Sequence, residues 1–161
     1  MIISLKNKKA LVTGGGTGIG QSIAKALADA GAKVAFTSRK TNSLKDTYKL
    51  LGNNSKHFPC KIDLYKKGNV DKLYKKLKKN FGTVDIIVNN IGHTLNKKDP
   101  FTPLKNWEKS LRLNFLTAVE VVNRFVLDMK KKNWGRIVNI TSVAGMEISG
   151  PSTYNASKAA L

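Results

Sequence analysis

The sequence predicts an α/β fold in which a parallel sheet is covered by helices on both faces. Short apolar runs, typical of buried strands, alternate along the chain with longer segments whose apolar residues recur at helical spacing. A glycine-rich stretch directly follows the first apolar run, where a parallel α/β unit turns from a strand into a helix. This alternation is typical of a single parallel sheet.

Each element follows from its own run of residues. The predicted strands cover residues 9–13, 33–38, 57–62, 84–88 and 135–140. The predicted helices cover residues 19–30, 41–51, 70–81 and 107–131, and a further helix begins near Thr153. Gly31, Gly52 and Gly82 directly follow the first three helices, and glycine is common where a helix ends. A loop with Pro100 and Pro103 covers residues 89–106.

The long helix over residues 107–131 is expected to bury one apolar stripe. This stripe consists of Leu116, Val119, Val122, Val126 and Met129. We find no internal repeat and no linker, so residues 1–161 are expected to form one domain.

Composition favours a soluble cytoplasmic protein that binds neither membranes nor nucleic acid. The apolar share is 41%, and no apolar run approaches the roughly 20 residues of a membrane span. The first residues contain too short an apolar stretch for a signal peptide, and Cys60 is the only cysteine. The net charge of +19 comes from 25 lysines and only 4 arginines spread along the chain, which favours a solvated lysine surface over a nucleic-acid site.

The stretch from Thr13 to Ser22, TGGGTGIGQS, predicts a nucleotide-binding turn. Glycines between a strand and a helix let backbone N–H groups approach a pyrophosphate. The P-loop pattern GxxxxGK[ST] fails because Gln21 replaces its phosphate-binding lysine. The pattern GxGxxG also fails, because the last two glycines are Gly18 and Gly20, and the pattern that fits is TGxxxGxG. A tight turn without a ligand is the alternative.

The end of the second strand indicates which dinucleotide binds. An acidic residue there would bind the ribose hydroxyls of NAD, whereas an arginine accommodates the 2′-phosphate of NADP. The residues Thr37-Ser38-Arg39-Lys40 are basic and include no carboxylate. We therefore expect NADP(H), with NAD(H) as the alternative; Arg39 and Lys40 as ordinary surface charges are the other interpretation.

Polar side chains follow the fourth and fifth predicted strands, at residues 89–92 and 139–142. Ligands bind beyond the carboxyl ends of parallel strands, so these side chains are expected at one edge of the sheet. Ser142 lacks the GxSxG turn of hydrolases. The two histidines, His57 and His93, are expected to be structural, and no metal site is predicted.

Tyr154 and Lys158 are four residues apart at the start of the last predicted helix, so their side chains lie on one face. A phenol ordinarily has a pKa of about 10, too high for an efficient proton shuttle near neutrality. A neighbouring ammonium group favours the phenolate form. The pair therefore indicates acid/base chemistry, although YxxxK alone arises often by chance in a lysine-rich chain.

Taken in order, these motifs resemble the short-chain dehydrogenase/reductase family over essentially the whole chain. The resemblance rests on TGxxxGxG at Thr13 to Gly20, Asp63, NNxG at Asn89 to Gly92, Asn114, Ser142 and YxxxK at Tyr154 to Lys158. It implies a Rossmann-like doubly wound sheet with five strands in the order 3-2-1-4-5.

The resemblance also implies a role for each site residue. Tyr154 would be the general acid/base, Ser142 would hold the substrate oxygen, and Lys158 would bind the nicotinamide ribose and favour the ionised phenol. Asn114 resembles the residue that holds a water in the proton relay. The implied cofactor-binding residues are Thr13, Gly14, Gly16, Thr17, Gly18, Ile19, Gly20, Ser38, Arg39, Asp63, Leu64, Asn89, Asn90, Gly92, Tyr154 and Lys158.

The expected function is an NADP(H)-dependent oxidoreductase that interconverts a carbonyl and an alcohol, on a 3-oxoacyl thioester, sugar or steroid. Relatives usually continue beyond the YxxxK helix with further strands and a substrate-binding loop. We therefore expect the chain to be the N-terminal two-thirds of such an enzyme, which would form a homodimer or homotetramer when full length. A non-catalytic nucleotide-binding fragment is the main alternative, and a nucleic-acid-binding protein, supported by charge alone, is a third.

Overall fold

The computed structural model describes residues 4–95, 99–147 and 150–161. Three parts of the sequence considered above lie outside the described residues. They are residues 1–3 of the segment tested for a signal peptide, residues 96–98 of the predicted loop, and residues 148–149 between Ser142 and Tyr154.

The described strands form one parallel sheet. They are β1 (Lys9–Val12), β2 (Lys33–Ser38), β3 (Phe58–Lys61), β4 (Ile86–Asn89) and β5 (Arg136–Asn139). Their order is β3-β2-β1-β4-β5, which confirms the predicted topology. In the centre, Val12 of β1 pairs with Phe36 of β2 on one side and with Val88 of β4 on the other. The turn after β1 therefore lies between the segments that follow β2 and β4.

The described helices agree with the predicted ranges to within a few residues, with one exception. They are α1 (Gly18–Asp29), α2 (Thr41–Leu50), α3 (Asn69–Asn80), α4 (Leu104–Leu111), α5 (Thr117–Lys131) and α6 (Ser152–Ala160). Gly31, Gly52 and Gly82 follow the first three helices with positive φ angles of 95°, 81° and 93°, which glycine adopts at little cost.

The exception is the long helix predicted over residues 107–131. It begins earlier, at Leu104, and its α-helical hydrogen bonding is interrupted by a π-helical segment at Arg112–Leu116. Pro103 precedes the first turn, where a missing backbone N–H is tolerated. Such π segments are rare and occur frequently at functional sites.

Helices cover both faces of the sheet, as predicted. On one face, Leu11 packs in a buried cluster with Leu73 of α3 and Phe125 of α5. On the other face, Val12 packs in a cluster with Ala24 of α1. Because successive residues of a strand point to opposite faces, neighbouring residues of β1 enter different cores.

The α5 stripe was only partly predicted. Val121, Phe125 and Met129 are the apolar residues of α5 that are buried, whereas Leu116 is 42% exposed. Val119, Val122 and Val126 lie on another side of the helix and are half-buried. The helix carries apolar residues on two sides, so hydrophobic spacing alone does not indicate which side contacts the core.

His57 lies just before β3 and is buried, as expected for a structural histidine. Its Nδ1 accepts a hydrogen bond from the Val34 N–H at 3.2 Å. Burial, assisted by the charge of Lys56, lowers the pKa of this imidazole. Within the described residues, no helix is long and apolar enough to cross a membrane.

Candidate active site

A cavity of about 550 Å³ lies at the carboxyl ends of the strands. It extends from the turn after β1 to α6 and is bordered by the segments that follow β2, β3, β4 and β5. Its lining residues are Gly14, Gly16, Thr17, Ile19, Gly20, Thr37, Ser38, Arg39, Ile62, Asp63, Leu64, Tyr65, Asn90, Ile91, Gly92, His93, Leu113, Ile140, Thr141, Ser142, Tyr154 and Lys158. The structure thus brings most of the predicted site residues to one cavity.

The glycine-rich turn is shaped by close contacts that leave no room for side chains. A Cβ atom at Gly16 would lie 2.7 Å from the Ser38 side chain, and one at Gly20 would collide with the Asn90 side chain and the Gly14 carbonyl. These glycines let the turn pack against the segments after β2 and β4.

The N-terminus of α1 forms one wall of this turn. Thr17 occupies the N-cap position without a side-chain capping bond, and the first turn of α1 contains no acidic residue. The leading N–H groups of a helix have no partner within the helix, and they attract anions. This part of the cavity therefore fits a phosphate group.

Gln21 explains why the turn is not a P-loop. Its Nε2 donates a hydrogen bond to Thr47 Oγ1 at 2.9 Å, so the side chain joins α1 to α2. The Thr47 hydroxyl in turn lies 3.1 Å from the Gly15 carbonyl oxygen and 3.2 Å from that of Gly16. Gln21 and Thr47 therefore support the turn from behind and do not line the cavity.

Thr13 and Asn90 connect the ends of β1 and β4. The Asn90 backbone N–H donates to Thr13 Oγ1 at 3.0 Å, and its side-chain Nδ2 donates to the Thr13 and Gly14 carbonyls at 3.1 and 3.2 Å. Asn89 is buried beside this pair and donates from Nδ2 to Asn139 Oδ1 at 3.0 Å, which joins β4 to β5. Thr13 and Asn89 therefore lie beneath the cavity floor, and Gly18 lies at its exposed rim with open space around it.

The far end of the cavity contains Ser38, Arg39, Asp63 and Leu64. Arg39 is exposed, and no carboxylate within the described residues forms an ion pair with it. Asp63 accepts a hydrogen bond from the Tyr65 backbone N–H at 3.2 Å, which orders the segment after β3. A guanidinium without an acidic partner at this position fits a second anionic group.

Asn114 lies in the π-helical segment and is almost completely buried. Its Oδ1 accepts a hydrogen bond from the His93 N–H at 2.8 Å, and its Nδ2 donates to the His93 carbonyl at 3.1 Å. The same Nδ2 donates to the Ser110 carbonyl at 3.1 Å and to Ser110 Oγ at 3.2 Å. Both amide hydrogens are therefore engaged with protein groups, and the side chain holds the loop after β4.

Ser142, Tyr154 and Lys158 meet at the near end of the cavity. The Ser142 hydroxyl oxygen accepts a hydrogen bond from the Ala144 N–H at 3.2 Å, at the start of a 3₁₀ turn over Val143–Gly145. A Cβ atom at Gly145 would lie 2.8 Å from the Lys158 backbone, so this turn packs directly on α6.

Lys158 is 5% exposed and points inward from α6. Its Nζ donates a hydrogen bond to the Ile140 carbonyl at 2.8 Å and lies 6.0 Å from the centroid of the Tyr154 ring. Burial lowers the pKa of this ammonium group. A Cβ atom at Gly92 would lie 3.2 Å from both Lys158 Nζ and Asn114 Oδ1, so the loop after β4 passes close to both side chains.

The sequence did not indicate several lining residues. Tyr65 directly follows the Asp63-Leu64 pair, and His93 directly follows NNxG. This position next to a motif is the sequence feature that could have indicated them as lining residues. His93, which we expected to be structural and not catalytic, lines the cavity. Its Nδ1 accepts the Leu95 N–H at 2.8 Å, and Nε2 therefore carries the proton of the neutral ring. Among the described residues, no group of three or more His, Cys, Asp or Glu side chains is placed to hold a metal ion.

A sequence profile of the family described as short chain dehydrogenase matches residues 8–161. The chain belongs to this family. An uncharacterised oxidoreductase of Staphylococcus saprophyticus is 34% identical over 163 residues, which cover 99% of this chain and 70% of that protein.

Two solved structures of dehydrogenases or reductases share the fold of this short-chain dehydrogenase. One is a 7α-hydroxysteroid dehydrogenase in complex with NADH and 7-oxo glycochenodeoxycholic acid, with a TM-score of 0.91 and 28% identity over 99% of this chain and 63% of that one. The other is the L-sorbose reductase of Gluconobacter frateurii with NADPH and L-sorbose, with a TM-score of 0.92 and 26% identity over 100% of this chain and 62% of that one. The chain therefore spans less than two thirds of the length of these structures.

Proposed function

We propose that this short-chain dehydrogenase binds NADP(H) and interconverts a carbonyl and an alcohol, with Tyr154 as the proton donor and acceptor. The observation that carries the proposal is the single cavity that contains the glycine-rich turn, Arg39 and the Ser142–Tyr154–Lys158 group. It combines an anion-binding end with a proton-transfer end, as a dinucleotide-dependent reaction requires.

The residues of the cavity fit a dinucleotide. The uncapped N-terminus of α1 and the Gly16 and Gly20 contacts would accommodate the pyrophosphate, and Arg39 would meet a 2′-phosphate. Asp63 and Leu64 would adjoin the adenine, and Lys158 the nicotinamide ribose. When bound, the nicotinamide supplies or accepts the hydride.

The chain's own groups would handle the proton. In the reduction, the carbonyl carbon gains a hydride and the carbonyl oxygen gains the Tyr154 hydroxyl proton, which gives the alcohol and leaves a phenolate. Among the described residues, the Ser142 hydroxyl oxygen only accepts a hydrogen bond, from the Ala144 N–H, so its hydrogen would be available to the same substrate oxygen. The nearby Lys158 ammonium group would stabilise the phenolate until a proton returns from solvent. Oxidation of an alcohol would reverse these steps.

Substrate classes follow from the family, and they remain proposals for this chain. A steroid and a sugar are bound in the two solved structures above. Steroids, sugars and 3-oxoacyl thioesters share a ketone or secondary alcohol that Ser142 and Tyr154 could contact together. A panel with one member of each class would identify the substrate class.

The test combines binding with turnover. In a full-length version of the protein, Tyr154→Phe removes only the hydroxyl, so turnover of a carbonyl substrate should fall by roughly 10²–10⁴-fold while NADPH affinity stays nearly constant. Tyr48→Phe, in α2 outside the cavity lining, is the matched control and should retain full turnover. A Tyr154→Phe variant with most of its turnover would remove Tyr154 from the mechanism. NADPH binding without turnover by the unmodified full-length protein would favour the non-catalytic nucleotide-binding alternative.

A further inference from the structure

A buried polar cluster lies between α4, the π-helical segment and α6, outside the lining of the cavity. We define the Ser110 cluster as Ser110, Asn114, Thr153 and Ser157. Each of these residues is at most 1% exposed. Water does not compete for hydrogen bonds at such a site, and bonds there hold groups in fixed positions.

The cluster holds the two peptide units that flank Tyr154. Ser110 Oγ donates to the Thr153 carbonyl at 2.9 Å, and this carbonyl belongs to the peptide unit before Tyr154. Ser157 Oγ donates to the Tyr154 carbonyl at 2.8 Å, which belongs to the peptide unit after it. The two hydroxyl oxygens lie 3.3 Å apart, so they form one continuous contact between α4 and α6.

The other end of the cluster reaches the loop after β4. Asn114 Nδ2 donates to Ser110 Oγ at 3.2 Å, while Asn114 Oδ1 accepts from the His93 N–H at 2.8 Å. Hydrogen bonds therefore run without interruption from the cavity wall at His93 through Asn114 and Ser110 to the Thr153 carbonyl, next to Tyr154.

The helix that carries Tyr154 and Lys158 has little support of its own. α6 has nine residues, and Pro151 at its N-cap position provides no side-chain capping bond. Helices of this length are marginal in isolation, so the orientation of α6 depends on its contacts with the rest of the molecule.

We propose that Ser110 is a positioning residue of the candidate active site. It fixes the rotation of α6, and through it the directions of the Tyr154 hydroxyl and the Lys158 ammonium group. The inference rests on the proposed function, because it assigns Lys158 to the nicotinamide half of a bound dinucleotide. The adenosine half would lie at the other end of the cavity, beside Arg39 and Asp63, and would not contact α6.

This separation of the two halves gives a selective test. Calorimetric titrations would compare NADPH with adenosine 2′,5′-bisphosphate, which contains only the adenosine half. Ser110→Ala should weaken NADPH binding by about 3- to 10-fold, the effect of one lost hydrogen bond, and should leave the bisphosphate affinity unchanged. Ser110→Thr retains a hydroxyl and should restore most of the NADPH affinity.

Tyr74→Phe is the control for a general loss of stability. It removes a hydroxyl bonded to Asp128 at 3.0 Å, between α3 and α5 and away from the cavity. Tyr74→Phe should change the affinity for neither NADPH nor the bisphosphate. If Ser110→Ala does not fold, Ser157→Ala removes the second hydroxyl of the Ser110 cluster and should give the same selective loss of NADPH affinity.

The outcomes separate the two proposals. Equal weakening of both ligands, or unchanged NADPH binding in Ser110→Ala and Ser157→Ala, would overturn the positioning role while the proposed function stands. An unmodified chain that binds neither ligand would overturn the proposed function, and the positioning role with it.

Discussion

Arg39 is the residue on which the choice between the two dinucleotides depends in our proposal. It lines the cavity and has no ion-pair partner among the described residues, so its guanidinium is free to meet a 2′-phosphate. Arg39→Ala should reduce the preference for NADPH over NADH by roughly 1.5–3 kcal/mol, as expected for a charged hydrogen bond. Fluorescence titrations with both dinucleotides would measure it.

Lys40 provides the control for Arg39. It is the next residue and also basic, but it does not line the cavity. Lys40→Ala should leave the preference unchanged. Equal affinities of the unmodified chain for NADPH and NADH would show that the basic pair does not select the cofactor.

Lys158 should also make stability depend on pH. Burial lowers its pKa below the ordinary value of 10.5. Between the lowered value and 10.5 the unfolded chain binds more protons than the folded one, so the contribution of Lys158 to stability increases as pH rises. Lys158→Met removes this contribution. The free energy of unfolding of the unmodified chain minus that of the variant should therefore increase as the pH rises towards 10.5.

Urea titrations at several pH values would measure this difference. Burial raises the pKa of Cys60, which has the opposite effect on stability, but Cys60 is present in both proteins and cancels in the subtraction. If the difference in the free energy of unfolding stays constant or falls as the pH rises, Lys158 does not have a lowered pKa in the folded chain.

Which residues belong to the candidate site was easier to predict than which other side chains line the cavity around them. The turn glycines, Arg39, Asp63, Ser142, Tyr154 and Lys158 were all predicted from motifs, and all of these except Gly18 at the rim and the buried Gly15 line one cavity. Tyr65 and His93 were missed because nothing in their own chemistry distinguishes a lining tyrosine or histidine from a structural one. Only the tertiary fold decides which of these side chains faces the cavity.

At the scale of elements, the long helix is interrupted at the segment that contains Asn114. Periodicity predicted one uninterrupted helix, because the residues 112–116 have ordinary helical propensities and a π segment has no strong sequence signal. In the structure, Asn114 forms hydrogen bonds from this segment with both His93 and Ser110.

Asn114→Leu tests this element. The variant loses four hydrogen-bonded contacts in a buried site, so the free energy of unfolding should fall by roughly 1–3 kcal/mol. Amide hydrogen exchange at His93 should become faster, because its N–H loses its acceptor. Asn123→Leu, at an exposed asparagine of α5, should change neither quantity. An unchanged exchange rate at His93 would indicate that other contacts hold the loop.

At the scale of the molecule, the predicted strand order correctly placed β5 at an edge of the sheet, whereas hydropathy alone predicted that β5 would be buried. All four residues of β5 are exposed, including Ile137 and Val138, and within the described residues β5 pairs only with β4. Apolar content predicts a buried strand, whereas burial also requires a neighbour on each side. An exposed apolar strand edge can pair with another chain.

We therefore expect the 161-residue chain to self-associate through β5. Val138→Lys places a charge on this edge and should shift sedimentation profiles towards the monomer. Leu127→Lys replaces an exposed apolar residue of α5, away from the strand edge, and should have little effect. A chain that remains monomeric at high concentration would contradict this expectation.

The hydrogen bond between Thr13 and Asn90 also constrains the order in which the chain folds during synthesis. The two residues are separated by 77 positions, so during synthesis the glycine-rich turn emerges long before Asn90, which directly follows β4. Closing a loop of this length is slow compared with forming a local helix. The glycine-rich turn therefore gains the support of Asn90 late, when β4 docks beside β1, and not gradually with each added strand.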